Sequence, residues 1–286
     1  MGTIGAMRQE FYSRLSGEYP SEEIRSFFNI LSEKFLKKSP AELVLQSDRA
    51  LSDNENQQFE DALKRLCDHE PVQYITGETE FFGLPFKVNQ HTLIPRPETE
   101  ELVDWILKDH SEIGMGNFSL LDIGTGSGCI AVTLAKKLKN ATVHAVDIST
   151  EALQTAQENA ALNAVNIRFW QSDILTDHSL LKTYDVIVSN PPYIRELEKK
   201  EIKPNVLKYE PGSALFVPNE DPLRFYKAIA ALSKTHLKSG GTLYFEINEY
   251  LSEALYSELR TSIFKTIEVR KDLFGKDRMI KCTLDE

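Results

Sequence analysis

Helical spacing of apolar residues dominates the first part of the chain. In SEEIRSFFNILSEKFLKKS, Ile24, Phe27, Phe28, Leu31 and Phe35 share one face, with Ser21 the expected N-cap after Pro20. SDNENQQFEDALKRL opens with Ser52 and Glu55 in capping-box spacing and puts Phe59, Leu63 and Leu66 on one side. Residues 1–70 therefore read as helices only, a small bundle without a catalytic constellation. Residues 71–95 change character: Tyr74, Phe81, Phe82, Phe86 and Val88 are strand formers broken by Gly77, Gly83 and Pro85, which predicts a β-hairpin linker. RPETEELVDWILKDH then starts a helix, with Pro97 in its first turn and Glu98, Glu100 and Glu101 at its positive end.

From residue 118 the period alternates. FSLLDIG, TVHAVDI, IRFWQSDI, YDVIVSN and GGTLYFEI read as strands. GCIAVTLAKKLK, TEALQTAQENAALN and DPLRFYKAIAALSKTHL read as helices between them. Strands separated by helical stretches of about ten or more residues predict βαβ units, and so an α/β fold with a mostly parallel sheet. FKTIEVRKDLFGKDRMIKCTL closes the chain with two β-prone runs joined through Gly275, Lys276 and Asp277, a terminal antiparallel hairpin. The pattern thus divides the chain at 1–70, 71–95 and 96–286.

Composition narrows the partners more than the fold. The 286 residues carry a formal net charge of −10, which argues against a broad phosphate-binding face but leaves room for a local basic patch. Cys67, Cys129 and Cys282 are odd in number and widely spaced, so neither a disulfide framework nor a metal site is expected, and a reducing cytoplasm is the natural compartment. MGTIGAMRQEFYSRL lacks an apolar run of signal-peptide length, and no segment approaches the ~18 apolar residues of a membrane span. No membrane association is expected.

Candidate chemistry sits at strand ends. In LLDIGTGSGCIA a strand delivers Asp122 and then Gly124, Gly126 and Gly128 where a helix begins, either a plain βα turn or one shaped for close backbone approach to a ligand. The spacing departs from the dinucleotide fingerprint G-x-G-x-x-G. Asp147 ends the next strand, where it can take both hydroxyls of a ribose or cap the helix near Thr150. Asp173 in QSDIL can accept from an adenine amine while Ile174 packs on the ring, or be an ordinary loop aspartate. Ligands of open parallel sheets sit beyond the carboxyl ends of the strands, and all three stretches lie there, so jointly they describe a nucleoside site. DIGTGSG, VDIS and SDIL in this order resemble class I methyltransferases with their Rossmann-like sheet. That resemblance implies S-adenosylmethionine as cofactor.

YDVIVSN runs into Asn190, Pro191, Pro192 and Tyr193, and two prolines cannot continue a strand. A planar amide or aromatic amine is a poor nucleophile because its lone pair is delocalised. The Asn190 side-chain oxygen and the Pro191 carbonyl supply two acceptors for its hydrogens, and Tyr193 a flat face for the planar group. PVQYITGETEFFGLPFKVNQHTLIPRPETEELV, with DIGTGSGCIA and SNPPYI, is similar to the release-factor glutamine methyltransferase family of the HemK/PrmC type. The resemblance implies that Gly124, Thr125, Gly126, Ser127 and Gly128 line the methionine part of the cofactor. Asp147 takes the ribose, Asp173 and Ile174 border the adenine, and Asn190 adjoins the cofactor. Asn190 to Tyr193 hold the glutamine amide of the Gly-Gly-Gln motif in class I peptide chain release factors. Residues 1–70, helical, without site residues and joined through a β-prone linker, are expected to recognise that protein substrate. Some members have an aromatic residue where this chain has Ile174. Arg96 is expected either to reach a carboxylate of ligand or substrate, or to pair with Glu98 or Glu100. His69 and His91 are expected at the surface. The alternatives are methylation of exocyclic amines in nucleic acid, which needs a basic track for phosphates, and a non-catalytic module that binds cofactor and partner. Direct nucleic-acid binding is not expected.

Overall fold

Three phenylalanines hold the N-terminal helices together. In the computed structural model, which describes residues 2–110, 118–177 and 182–284, the rings of Phe28 and Phe59 stack at 5.5 Å and Phe11 meets both edge-on. Around them pack α1 (Ile4–Leu15), α2 (Ser21–Leu36), α3 (Pro40–Leu45) and α4 (Asp53–Cys67). The Ser52–Glu55 capping box forms as expected. Ser21 does not cap. Pro20, already in extended geometry, occupies the cap position, and Ser21 is the first helical residue. Ile24, Phe28 and Leu31 are buried, while Phe27 and Phe35 pack at the margin of the same cluster.

Residues 71–95 contain the expected hairpin, over a shorter span. Pro71 caps a short helix, α5 (Val72–Thr76), because Val72 and Ile75 join the phenylalanine cluster and Gly77, at φ 73°, ends the turn. Strand pairing is confined to β1 (Glu78–Phe81) and β2 (Leu84–Lys87), joined by Phe82 and Gly83, both with positive φ. The chain separates into two compact units at this point: one runs to Gly77 and also takes in Lys203–Tyr209, and the other comprises Glu78–Ile202 and Glu210 onward.

In the second unit α6 (Pro97–Asp109) begins at Pro97, with Glu98 and Glu100 in its first turn. It is followed by β3 (Phe118–Ile123), α7 (Cys129–Lys137), β4 (Ala141–Asp147), α8 (Thr150–Leu162), β5 (Ile167–Gln171) and β6 (Tyr184–Ser189). Next come the two-residue strands β7 (Ile194–Arg195) and β8 (Phe216–Val217), with α9 (Pro204–Tyr209) between them in sequence but inside the first unit. α10 (Arg224–His236), β9 (Leu237–Glu246), α11 (Ser252–Arg260), β10 (Phe264–Lys271) and β11 (Asp277–Leu284) complete the chain.

The seven-stranded sheet has the order β10-β11-β9-β6-β3-β4-β5, parallel from β9 to β5, with β11 antiparallel to both its neighbours. Alternation along the strands feeds two cores. Leu120, Val186 and Tyr244 join a cluster with Trp105 and Ile106 of α6, while Leu121, Ile187 and Leu243 join one with Ile229 of α10 and Leu255 of α11. The chain leaves β3 toward β4 and β5, then returns to the other side of β3 as β6. A crevice opens beyond the carboxyl ends of strands at such a reversal.

Candidate active site

The glycine turn after β3 shapes one wall of the crevice. Gly124 (φ 73°) and Gly126 (φ 56°) need the left-handed region, and a Cβ at either would stand in open space. Gly128 is used differently: a Cβ there would come within 3.0 Å of Ala156 Cβ, so its absence lets α7 start against α8. Asp122 lies fully buried behind the turn. Its Oδ2 accepts from Thr125 Oγ1 (2.7 Å) and Ala131 N (3.2 Å), whereas its Oδ1 has no partner among the described residues. Burial, with Asp147 nearby, pushes its carboxyl up to about 7.

Asp147 ends β4 and holds the turn from the other side. Its Oδ2 accepts from Gly126 N (2.8 Å) and its Oδ1 from Ser149 N (3.0 Å), and burial raises its pKa. It is not the cap of α8; that is Ser149, whose side chain accepts from Ala152 N. Asp173, beyond β5, accepts from Leu175 N (3.0 Å) in a tight turn that leaves Ile174 buried at the wall.

At the end of β6, Ser189 Oγ donates to Ile123 O (2.7 Å), tying this strand end to the glycine turn. Asn190 Nδ2 donates to Thr99 Oγ1 (3.3 Å), and Thr99 donates to Glu246 Oε2 (2.6 Å). Tyr193 OH donates to Glu246 Oε1 (3.0 Å), and Asn248 Nδ2 donates to Tyr193 O (3.0 Å). Glu246 is buried at the end of β9; burial raises its pKa, while Thr99, Tyr193 and Arg278 pull the other way. The proline corner is therefore pinned on both sides of the two rings.

These elements enclose a cavity of about 450 Å³, within the range of small-molecule sites. Of the residues singled out in the sequence, Gly124 to Ser127, Asp147, Asp173, Ile174 and Asn190 to Pro192 line it. Gly128 and Tyr193 stand outside that lining: Gly128 serves helix packing, and Tyr193 packs against the core with its hydroxyl turned to Glu246. His91 is exposed at the cavity and His69 bonds Tyr19 OH through Nδ1. Arg96 pairs with neither Glu98 nor Glu100. It donates to Glu210, whose buried carboxylate also accepts from Ile94 N (3.1 Å), while Glu100 is taken by Phe82 N (2.6 Å). Thr99, Glu210, Glu246 and Asn248 escape sequence reading, since each acquires its partner across at least 50 residues of chain.

The donor set suits a cationic nucleoside. Asp147, its pKa raised by burial, lines the cavity beside a glycine turn open to it, Asp122 lies buried behind that turn, and Ile148, 57% exposed, with Ile174 offers apolar faces for a flat ring.

Comparison with known proteins agrees. Residues 106–209 match the Methyltransferase small domain and residues 6–77 the PrmC N-terminal domain. A methyltransferase structure from Pyrococcus furiosus superposes with a TM-score of 0.53 at 20% identity, over 82% of this chain and 100% of that one. The hMettl16 catalytic domain in complex with a MAT2A 3′UTR hairpin gives 0.57 at 18% identity, over 82% and 81%. At such identities the likeness concerns the fold. Relatives are far nearer. A release factor glutamine methyltransferase of Flavobacterium psychrophilum is 51% identical over 96% of both chains, and one of Bacteroides thetaiotaomicron is 43% identical over 92% of this chain and 93% of its own. With its sheet, glycine turn and proline corner in place, this chain belongs to the release factor glutamine methyltransferase family.

Proposed function

We propose that this enzyme transfers a methyl group from S-adenosylmethionine to the side-chain amide nitrogen of a glutamine, that of the Gly-Gly-Gln motif in class I peptide chain release factors. The observation that carries the reading is Asn190 in the cavity wall at the reversal point of the sheet, with its amide nitrogen donating to Thr99, an orientation in which its oxygen can serve the substrate. The cofactor, when bound, supplies a methyl group made electrophilic by a sulfonium. Gly124 to Ser127 give its methionine part a backbone wall. Asp147 and Asp173 serve the ribose hydroxyls and the adenine amine, and Ile148 and Ile174 cover the ring.

Asn190 Oδ1 and the Pro191 carbonyl each accept one hydrogen of the substrate amide. Two acceptors fix the plane of the nitrogen and aim its lone pair, so positioning in a water-poor site supplies much of the acceleration. The nitrogen, strongly acidic once the new C–N bond has formed, passes its proton to solvent, so no base has to act before it. Tyr193 holds the corner through Glu246, and Pro192 keeps it rigid. Three free cysteines suit a reducing cytoplasm, and among the described residues no helix is long and apolar enough to cross a membrane.

Mass spectrometry of a purified release factor before and after incubation with enzyme and cofactor tests the reading. One added methyl on the Gly-Gly-Gln peptide is expected. Methyl transfer to nucleic acid with none to the release factor would overturn it.

A further inference from the structure

An asparagine amide is nearly symmetric in shape, so packing alone does not settle which end faces a ligand. Hydrogen bonding does. Asn190 can accept from a substrate amide only if its NH2 group points elsewhere, and the NH2 group is met by Thr99 Oγ1 at 3.3 Å. A hydroxyl can donate or accept, so Thr99 fixes nothing until its own proton is placed. Glu246 Oε2 lies 2.6 Å away, and a carboxylate only accepts. The Thr99 proton therefore goes to Glu246, the Thr99 lone pairs face Asn190, and Asn190 must answer with its NH2 group. The other Glu246 oxygen takes the Tyr193 hydroxyl, three residues along the same corner. Glu246 is 1% exposed and its backbone carbonyl accepts from Tyr226 OH, which holds the end of β9 in place.

Resting on the methyl-transfer reading, we propose that Glu246 is a positioning residue: acting through Thr99, it fixes the orientation of the Asn190 amide so that Oδ1 is presented to the substrate nitrogen. The relay depends on the charged form of Glu246. A protonated Glu246 can donate to Thr99, which releases the Thr99 proton toward Asn190 Oδ1 and reverses the chain. Burial raises the Glu246 pKa and Glu98 adds to it, Arg278 opposes, and Tyr193, Tyr226 and Cys129 complete its titratable surroundings. Activity is then lost as pH falls through that raised value, and Glu246→Gln, unable to enforce one direction, shows a low rate without the acid limb.

Thr99→Val keeps the shape and deletes the relay. It should lower kcat about tenfold or more while KM for the release factor and cofactor affinity by calorimetry stay within about twofold. Thr99→Ser, which keeps the hydroxyl, should recover most of the rate. In an Asn190→Ala background Thr99→Val should add nothing, because there is no amide left to orient. Equal losses for Val and Ser, no loss for Val, or a further loss in the Asn190→Ala background would overturn the relay. A readout independent of substrate separates this from failure of the methyl-transfer reading. The Asn190 side-chain NH2 resonances, assigned by their loss in Asn190→Ala, should move in Thr99→Val and stay put in Thr99→Ser. Unmoved resonances in Thr99→Val would sink the relay whatever the enzyme methylates.

Discussion

Asp122 shows how far one residue can be pushed from its ordinary chemistry. Two donors satisfy its Oδ2, its Oδ1 has none among the described residues, and burial raises its pKa from 3.8 to about 7. A carboxyl whose folded pKa is raised contributes stability that is complete below its unfolded value and is lost as pH rises through the folded one. The ligand-free protein should thus lose stability between about pH 4 and pH 7 through this group, on the order of 4 kcal/mol at most. Asp122→Asn keeps an acceptor for Thr125 and Ala131 and should flatten that slope in denaturant melts taken across the range. Parallel slopes for the two proteins would show that Asp122 is not the titrating group. At this scale the sequence placed Asp147 correctly at a strand end but left two roles open. The structure adds a third, since the carboxylate braces the Gly126 turn.

Among elements, the glycine turn separates packing from binding within five residues. Gly128→Ala meets Ala156 at 3.0 Å and also strains a φ of 81°, so it should cost on the order of 1–3 kcal/mol of stability. Gly126→Ala meets nothing within 4 Å, so only the backbone strain of about 1 kcal/mol remains, and its larger effect should be on cofactor affinity. Thermal melts paired with calorimetry on both variants distinguish the two; the opposite ranking would reverse the assignment. The α/β alternation is legible because short apolar runs such as FSLLDI, buried along their whole length, alternate with stretches of helical period from 118 onward. The 71–77 stretch misled because Tyr74 and Ile75 favour strands intrinsically, while burial of Val72 against the phenylalanine cluster made the helix.

Across the whole molecule, the cavity falls within one unit. Every residue lining the cavity belongs to the second unit. The first is proposed to recognise the release factor, and it also holds Lys203–Tyr209, where Lys208 and Tyr209 both bond Asp68. A chain starting at Glu78 should keep cofactor affinity within a few-fold and lose kcat/KM on intact release factor by about tenfold or more. Equal kcat/KM for the two proteins, with circular dichroism showing the shorter one folded, would remove the first unit from recognition.

Fold class, family and the strand ends that border the cavity follow from the sequence, because periodicity, glycine spacing and the proline pair act within a few residues of chain. What those residues touch depends on tertiary packing. Arg96, expected to meet a ligand or substrate carboxylate or else Glu98 or Glu100, pairs with Glu210, whose carboxylate is buried. Thr99 and Glu246 lie 147 residues apart and meet because α6 packs beside the end of β9. A hydrogen bond is settled by position in space to within tenths of an ångström. Local pattern carries no such information across a fold, and so the residues that aim Asn190 meet only in the folded chain.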